Sequence, residues 1–256
     1  MTTWETATLG EICDRVGGII QTGPFGSQLH QSDYSQDGIP LVMPKDIIES
    51  RIIEENIARV ASEHVERLSK HKLKPGDIVY GRRGDIGRQA LVRSPQSGWL
   101  CGTGCLRLSL GEAVVAPTFL HYYLRDSGVI AWIANQAIGA TLPNLNTSIL
   151  RSVPVLLPPL PTQHKIAAIL SAYDDLIENN LRRIKILEEM AQSLYREWFV
   201  KFRFPGHQHA RFVNSPLGPI PEGWEVKPVL SVAEVTYGFA FKSKQFNTDG
   251  IGTPVV

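Results

Sequence analysis

Two adjacent arginines beside a glycine turn offer the most specific chemistry in this chain. Arg82 and Arg83 follow a short apolar segment and precede Gly84, and Arg88 comes next along the same turn. A guanidinium is a planar fork of donors that fits the edge of guanine or a phosphate group. Because neighbouring side chains on a strand point to opposite faces, we expect one arginine to meet a nucleic acid and the other to pair with a carboxylate such as Asp85. The alternative is a solvated basic turn.

Two glycine-bounded polar loops carry further groups that suit a nucleic acid. Residues 22–28 (TGPFGSQ) combine short polar side chains with glycines, which let the backbone approach a phosphate closely. Residues 139–146 (GATLPNLN) offer a threonine and two asparagines, and asparagine can form two hydrogen bonds to adenine. Either loop could instead be a simple turn.

Lysines supply a third kind of candidate contact. Lys45 follows a proline, and residues 70–74 read KHKLK, so these lysines could contact a phosphate backbone or form a solvated face. The candidate DNA-binding residues are therefore Thr22, Gly23, Gly26, Ser27, Gln28, Lys45, Arg82, Arg83, Arg88, Thr141, Asn144 and Asn146.

Signals for catalysis or a metal are missing from the sequence. No phosphate-binding loop of the form GxxxxGK(S/T) occurs, and no (N/D)PP(Y/F) motif for amino-methyl transfer is present. Cys101 and Cys105 lack a second cysteine or histidine pair at zinc-finger spacing. We therefore predict a non-enzymatic protein without a metal or cofactor of its own.

The composition indicates a globular cytoplasmic protein. The 256 residues are 43% hydrophobic and 20% charged, and no apolar run approaches the roughly 20 residues that span a bilayer. The amino terminus shows no secretion signal, and three cysteines are too few for a disulfide framework. A net charge of +1 does not by itself indicate a nucleic-acid binder. If DNA is the partner, the basic groups must be concentrated on one face, or a basic partner must contribute.

A long helix is predicted to position these groups. Between 161 and 204, apolar residues recur at alternating steps of four and three, which is the period of a helix laid along another helix. Such a helix would run roughly 50 Å and act as a spacer. Thr162 is its predicted cap. We call the following set the apolar seam: Ile166, Leu170, Tyr173, Ile177, Ile184, Leu187, Ala191, Leu194 and Trp198, bridged by Asn180.

Asn180 has two interpretations on this seam. Buried between helices, it would fix the register and orientation of the partner. At a local break of the helix near 178–180, it would face water. The seam residues and Asn180 are the candidates for helix pairing or for docking a partner.

The region before the helix is predicted to be α+β, with mixed strands and short helices. The run 153–161 contains four prolines and is predicted to be an extended connector. Ser62 is the predicted cap of a short helix. The predicted strands are 39–43, 77–80, 90–93 and 106–110, and the predicted short helices are 62–68, 117–124 and 129–137.

The chain repeats its own beginning. Trp4-Glu5 opens a series of motifs that recurs in outline after Trp224-Glu225, and a polar loop is predicted from 205 to Ser215. An internal repeat of this kind indicates two copies of one domain, of which the second is only begun. The predicted organisation is a domain at 1–155, a connector and spacer helix at 156–204, and a linker with the start of a second domain at 205–256. The alternative is two unrelated Trp-Glu openings.

These motifs resemble those of the specificity subunit of type I restriction-modification enzymes. The resemblance rests, in order along the chain, on residues 22–29, 76–87, 139–146, 157–166, 187–192 and 217–224. It implies two target-recognition domains, each reading half of a split DNA site, and paired helices that space them and dock methyltransferase subunits. This chain departs from that pattern, because it has one complete recognition domain, one helix and the start of a second recognition domain.

The resulting hypothesis is a non-catalytic subunit that reads double-stranded DNA. Methylation and cleavage would belong to modification and restriction subunits, with S-adenosylmethionine, ATP and magnesium used there. The exposed seam suggests that two copies pair through residues 162–200, or that a methyltransferase subunit covers it. One alternative is an assembly module that binds partner subunits but no DNA. Another is the recognition part of a methyltransferase-nuclease.

Overall fold

The computed structural model describes residues 4–25, 28–84, 87–136, 144–240 and 242. The chain divides into two compact units, Met1–Asn179 and Asn180–Val256. In the described part, no helix is both long enough and apolar enough to cross a membrane.

The elements of the chain are as follows. The helices are α1 (Leu9–Val16), α2 (Ser62–Val65), α3 (Pro117–Tyr123), α4 (Ser127–Gln136), α5 (Thr147–Arg151) and α6 (Leu160–Tyr195). The strands are β1 (Glu5–Thr8), β2 (Ile19–Thr22), β3 (Tyr34–Ser35), β4 (Ile39–Val42), β5 (Ile47–Ile48), β6 (Arg51–Ile52), β7 (Ala58–Val60), β8 (Ile78–Gly81), β9 (Gln89–Leu91), β10 (Leu100–Cys101), β11 (Cys105–Ser109), β12 (Pro154–Leu157), β13 (Phe212–Ser215) and β14 (Gly218–Pro221).

An antiparallel sheet in the order β2-β11-β8-β9 is the centre of the first unit. Its strand β8 is buried throughout because alternate residues face different apolar clusters. Tyr80 packs in a cluster with Leu106 and with Leu9 of α1. Val79 packs in another cluster with Val42 and Cys105. With apolar material on both faces, this sheet forms the core of the domain.

A second sheet in the order β10-β4-β7-β3 lies in the same unit. Its β4 and β10 are parallel, with Leu41 opposite Leu100, whereas β7 is antiparallel to β4 and β3. Antiparallel and parallel pairings together with short helices confirm the predicted α+β fold class. The four predicted strands are present with boundaries shifted by at most two residues.

Local sequence signals explain where α1 begins and ends. Thr8 Oγ1 accepts a hydrogen bond from the Glu11 amide at 3.1 Å, and Glu11 Oε2 accepts one from the Thr8 amide at 2.8 Å. This reciprocal capping box satisfies donors that lack a partner inside the helix. Gly17 ends the helix at a φ of 60°, a left-handed conformation that glycine adopts without steric cost.

Two predicted helix caps are wrong. Ser62 is the first residue of α2, and Ala61 precedes it as the cap. Helix α6 begins at Leu160, before the predicted cap Thr162, and the Thr162 amide donates to the Pro159 carbonyl at 2.8 Å. Pro161 does not prevent this, because amides of the first turn have no partner inside a helix. Upstream, the prolines do enforce an extended segment, which forms β12 and pairs with β1.

One face of α6 holds the helix against the first unit. Gln163 is almost fully buried, and its side chain bonds the Ala116 amide at 2.8 Å and the Pro158 carbonyl at 2.8 Å. Ala167 lies one turn further and is buried in the main apolar cluster. Asp174 and Glu178 follow about two and three turns after Ala167. Steps of four, seven and four keep these residues on one stripe of the helix.

Charged contacts continue this stripe. Asp174 Oδ2 accepts hydrogen bonds from Arg125 at 2.8 Å and from the Tyr122 hydroxyl at 3.0 Å. Arg51 of β6 lies 3.3 Å from Glu178, and its guanidinium also donates to the Asp174 carbonyl at 3.3 Å. We call Arg51, Tyr122, Arg125, Asp174 and Glu178 the helix clamp. It joins two separate segments of the first unit, β6 and the end of α3, to α6.

The second unit contains a hairpin and an aromatic cluster. Strands β13 and β14 pair antiparallel, which corrects the predicted polar loop up to Ser215. The Trp224 ring stacks on Phe204 with centroids 6.4 Å apart and meets Phe202 edge-on at 5.6 Å. The sequence around the hairpin is rich in proline and glycine, which concealed its strand alternation. Of the predicted second repeat, 226–240 and 242 are described and form no strand, and 249–256 lie outside the described residues.

Candidate nucleic-acid interface

A cleft of about 520 Å³ brings together three of the predicted sequence motifs. The cleft is lined by the loop after β2, the turn after β4, the arginine pair after β8 and the turn between β10 and β11. Its lining residues are Gly23, Pro24, Phe25, Pro44, Arg82, Arg83, Thr103 and Gly104.

The two arginines differ in their surroundings. Arg82 is half-buried, and its Nε donates to the Leu145 carbonyl at 3.1 Å. Arg83 is exposed and forms an isolated antiparallel bridge with Asn144 through the backbone. Among the described residues, none accepts a hydrogen bond from the Arg83 side chain. The two side chains therefore lie in different surroundings, but Arg82 binds a main-chain carbonyl, the suggested partner Asp85 lies outside the described residues, and the predicted division of roles stays a prediction.

The loop after β2 is tied closely to the turn between β10 and β11. The Gly23 amide donates to the Cys105 carbonyl at 2.9 Å, and a side chain on Gly23 would meet the Gly102 carbonyl oxygen at 2.0 Å. Thr103 Oγ1 donates to the Pro24 carbonyl at 3.0 Å. The absence of a side chain at Gly23 is thus required by contact with the chain itself. Its predicted contact with DNA stays a prediction.

The distal part of this loop is closed by Gln28. The side-chain oxygen Oε1 of Gln28 accepts a hydrogen bond from the Phe25 backbone amide at 3.3 Å. The Gln28 backbone amide donates a hydrogen bond to the Phe25 carbonyl at 2.8 Å. Thr22 ends β2 opposite Leu106. Gly26 and Ser27 lie outside the described residues.

Lys45 and Arg88 lie near the turn after β4. Lys45 is exposed in the short 3-10 turn Pro44–Asp46. Arg88 Nη1 donates to the Pro44 carbonyl at 3.3 Å, which holds this turn beside β9. The geometry therefore gives Arg88 a supporting contact and leaves the Lys45 ammonium open to solvent.

The asparagines of the third loop also differ. Asn146 caps α5, and its Oδ1 accepts from the Ile149 amide at 2.8 Å. Asn144 is exposed beside Arg83. Thr141 lies outside the described residues. Asn146 thus has a structural role that its sequence position before a helix explains.

The lysine-rich run 70–74 lines no part of the cleft. Lys72 pairs with Glu66 at 3.1 Å, and the Lys70 carbonyl accepts from Gln21 at 2.6 Å. His71 is buried with no hydrogen-bond partner for its ring in the described part of the chain. Burial, together with nearby Lys70 and Arg107, lowers the pKa of His71. The fold therefore uses His71, the Lys70 carbonyl and the Lys72 ammonium of this run, and its predicted phosphate contacts stay a prediction.

Phe25, Pro44 and Thr103 line the cleft but were not singled out from the sequence. Phe25 is 58% exposed, although an aromatic residue is usually expected inside. The sequence signal for an exposed Phe25 was its position between Gly-Pro and Gly-Ser, because such a segment offers no large apolar neighbours to cover the ring.

The apolar seam remains largely uncovered in the single chain. Ile166 and Trp198 are half-buried, and α6 runs through Asn180 without the suggested break, with Asn180 exposed. The side chains that are between 39% and 63% exposed are Leu170, Tyr173, Ile177, Ile184, Leu187 and Leu194. The seam and the helix clamp thus lie on neighbouring stripes of one helix.

Comparisons with known proteins agree on one family. The family model described as "Type I restriction modification DNA specificity domain" matches residues 1–189. The MjaIX specificity subunit of Methanocaldococcus jannaschii is 27% identical over 99% of this chain and 57% of its own length. The HindI specificity subunit of Haemophilus influenzae is 24% identical over 79% of this chain and 42% of its own length.

Solved structures share the fold. The S subunit of a type I restriction-modification system from M. genitalium matches with a TM-score of 0.53 and 19% identity, over 77% of this chain and 46% of that one. A chain from a study of assembly and conformational transition of the type I R-M system matches with a TM-score of 0.52 and 18% identity, over 98% and 60%. The chain thus spans between 42% and 60% of the length of these relatives. Since the family model covers most of its residues, the chain belongs to the type I restriction modification DNA specificity family.

Proposed function

We propose that this chain reads one half of a split site in double-stranded DNA, as the specificity subunit of a type I restriction-modification complex. The observation that carries this proposal is the cleft, which joins an exposed guanidinium (Arg83), the loop after β2 and the turn bearing Lys45. Half or more of the hydrogen bonds between proteins and DNA go to the sugar-phosphate backbone of the DNA, while contacts to base edges supply specificity. Lys45 suits the first kind of contact and Arg83 the second.

The proposed division of labour leaves the chemistry to partner subunits. Modification and restriction subunits would supply S-adenosylmethionine, ATP and magnesium chemistry, and the complex would act on DNA in the cytoplasm. Within this chain, residues 1–155 would recognise DNA, 156–204 would space and dock, and 205–256 would begin a second recognition domain.

Replacing Arg83 by Ala tests the proposal. A lost fork on a base edge weakens binding to the cognate duplex by about 1–3 kcal/mol, and binding to a shuffled duplex much less. Fluorescence anisotropy at fixed salt measures both. Arg183→Ala, which removes the same charge from α6 and lines no part of the cleft, serves as the control and leaves discrimination unchanged. Equal discrimination in the wild type and Arg83→Ala would remove Arg83 from the reading surface.

An assembly module without DNA binding is the second candidate. The net charge of +1 favours it, because DNA binding rests largely on neutralised phosphates. Titration of duplex at several salt concentrations separates the two functions. A DNA reader loses affinity steeply as salt rises, whereas an assembly module shows no salt-dependent shift but still binds methyltransferase subunits.

A further inference from the structure

Phe25 is an apolar residue that lines the cleft. It is 58% exposed, while Gly23 and Pro24 before it are buried. A phenyl ring that is mostly exposed gains little from burial in the folded chain, so its position is not explained by the core. The inference below rests on the DNA-binding function proposed above.

The loop keeps the ring in place. Its root is fixed at Gly23, which packs on the Gly102 backbone, and at Pro24, whose carbonyl accepts from Thr103. On its distal side, Gln28 bonds both the amide and the carbonyl of Phe25. The ring is therefore presented on a backbone that is held on both sides, which limits the entropy lost when a ligand binds.

The chemistry of the cleft selects the ligand. Its lining is apolar at Pro24, Phe25 and Pro44 and also includes Arg83. Phosphates favour cations and amide donors over an apolar lining. A base edge fits better, since the major groove presents one apolar group, the 5-methyl of thymine, and Phe is among the side chains that contact it.

We propose that Phe25 reads the 5-methyl group of one thymine in the target site, next to the base contacted by Arg83. The ring covers the methyl group and removes it from water. Uracil in place of that thymine keeps every hydrogen-bonding group and loses only this contact.

The test uses the full chain and a duplex site that the wild type selects from a random pool. Each thymine of the selected site is replaced by uracil in turn, and affinity is measured at fixed salt for the wild type and Phe25→Ala. At one position uracil weakens wild-type binding about fourfold, the effect of one buried methyl-sized group. The same replacement has no effect on Phe25→Ala.

Two further variants complete the experiment. Phe25→Leu retains an apolar side chain and keeps part of the uracil penalty. Ile48→Ala removes a similarly exposed apolar group on β5, outside the cleft, and keeps the full penalty. A selected site without thymine, or equal uracil penalties in the wild type and Phe25→Ala, overturns the role of Phe25 alone. If the wild type selects no duplex, both the proposed DNA-reading function and the role of Phe25 are contradicted.

Discussion

Asp77 and Arg107 show how a single pair of residues can support the core of the first unit. Arg107 Nε lies 2.8 Å from Asp77 Oδ2, and the two side chains are only 5% and 3% exposed. Asp77 also accepts from the Lys74 amide at 2.9 Å, and Arg107 donates to the Lys70 carbonyl at 3.1 Å. The buried charges are thus paired and hydrogen-bonded, as burial requires.

Removing one partner of this pair is expected to be costly. Asp77→Ala leaves the Arg107 charge buried and unpaired, so the free energy of unfolding falls by about 3–5 kcal/mol. Urea denaturation of the wild type and the variant measures this loss of unfolding free energy. Asp14→Ala is the matched control, because it breaks the solvent-exposed pair with Arg151 and costs about 0–1 kcal/mol. Similar losses in the two variants would contradict this assignment.

His121 gives the stability a dependence on pH. Its Nδ1 lies 3.0 Å from Gln89 Oε1, and burial, aided by Arg125 and Arg93 and opposed by Asp174, lowers its pKa to about 4. The unfolded chain binds this proton near pH 6.5. Between those values the unfolded state holds more protons, so stability falls as pH decreases, by about 3 kcal/mol in total.

The variant His121→Gln isolates this effect from other titrating groups. Its free energy of unfolding at pH 7 is lower because the bond to Gln89 changes, but it declines less than that of the wild type between pH 6.5 and pH 4. Denaturation curves at several pH values give both slopes. The pKa of buried His71 is lowered in both proteins, so the contribution of His71 to the pH dependence of stability cancels in the comparison. Parallel slopes would show that His121 is not held neutral.

At the level of elements, the helix clamp fixes the first turns of α6. Burial alone would raise the pKa of Asp174, but hydrogen bonds from Arg125 and Tyr122 hold it below its usual value. Asp174→Asn keeps the shape of the side chain and loses the charge, so we expect a loss of about 1–2 kcal/mol, reduced by partial exposure. Asp175→Asn, the neighbouring exposed carboxylate, changes stability by less than about 0.5 kcal/mol. Thermal unfolding of both variants checks the difference, and equal melting temperatures would argue against the clamp.

The elements were largely predictable because apolar patterns specify them. Strand β8 lies within one residue of its prediction, and the 3.5-residue period predicted α6. The clamp face of α6 was not predictable from the apolar pattern, because Gln163 and Asp174 are polar. They face the first unit because they form hydrogen bonds with residues distant in sequence, such as Ala116 and Arg125. The same limit applies to the arginine pair. Arg82 Nε donates to the Leu145 carbonyl, an acceptor that no local pattern indicates, and its predicted pairing with a carboxylate such as Asp85 stays a prediction because Asp85 lies outside the described residues.

For the whole molecule, the seam predicts self-association. Two copies paired through α6 would cover apolar side chains that one chain leaves exposed, and would present two recognition domains to a two-fold-related site. Leu187→Glu places a charge in this interface, so light scattering at micromolar concentration should show a dimer for the wild type and a monomer for the variant. Gln192→Glu adds the same charge beside the seam and leaves the dimer intact. A monomeric wild type would assign the seam to another partner, such as a methyltransferase subunit.

The contact between Gly23 and Gly102 has a consequence for engineering new sequence preferences. Any side chain at Gly23 would displace the facing backbone, and one at Gly102 would meet Met43 Sδ and the Val42 carbonyl oxygen at 2.5 Å. A mutant library should therefore leave these two glycines and Thr103, which holds the Pro24 carbonyl, untouched and diversify only the exposed positions Phe25 and Arg83. Such a library would explore altered preferences while each member retains the loop anchorage.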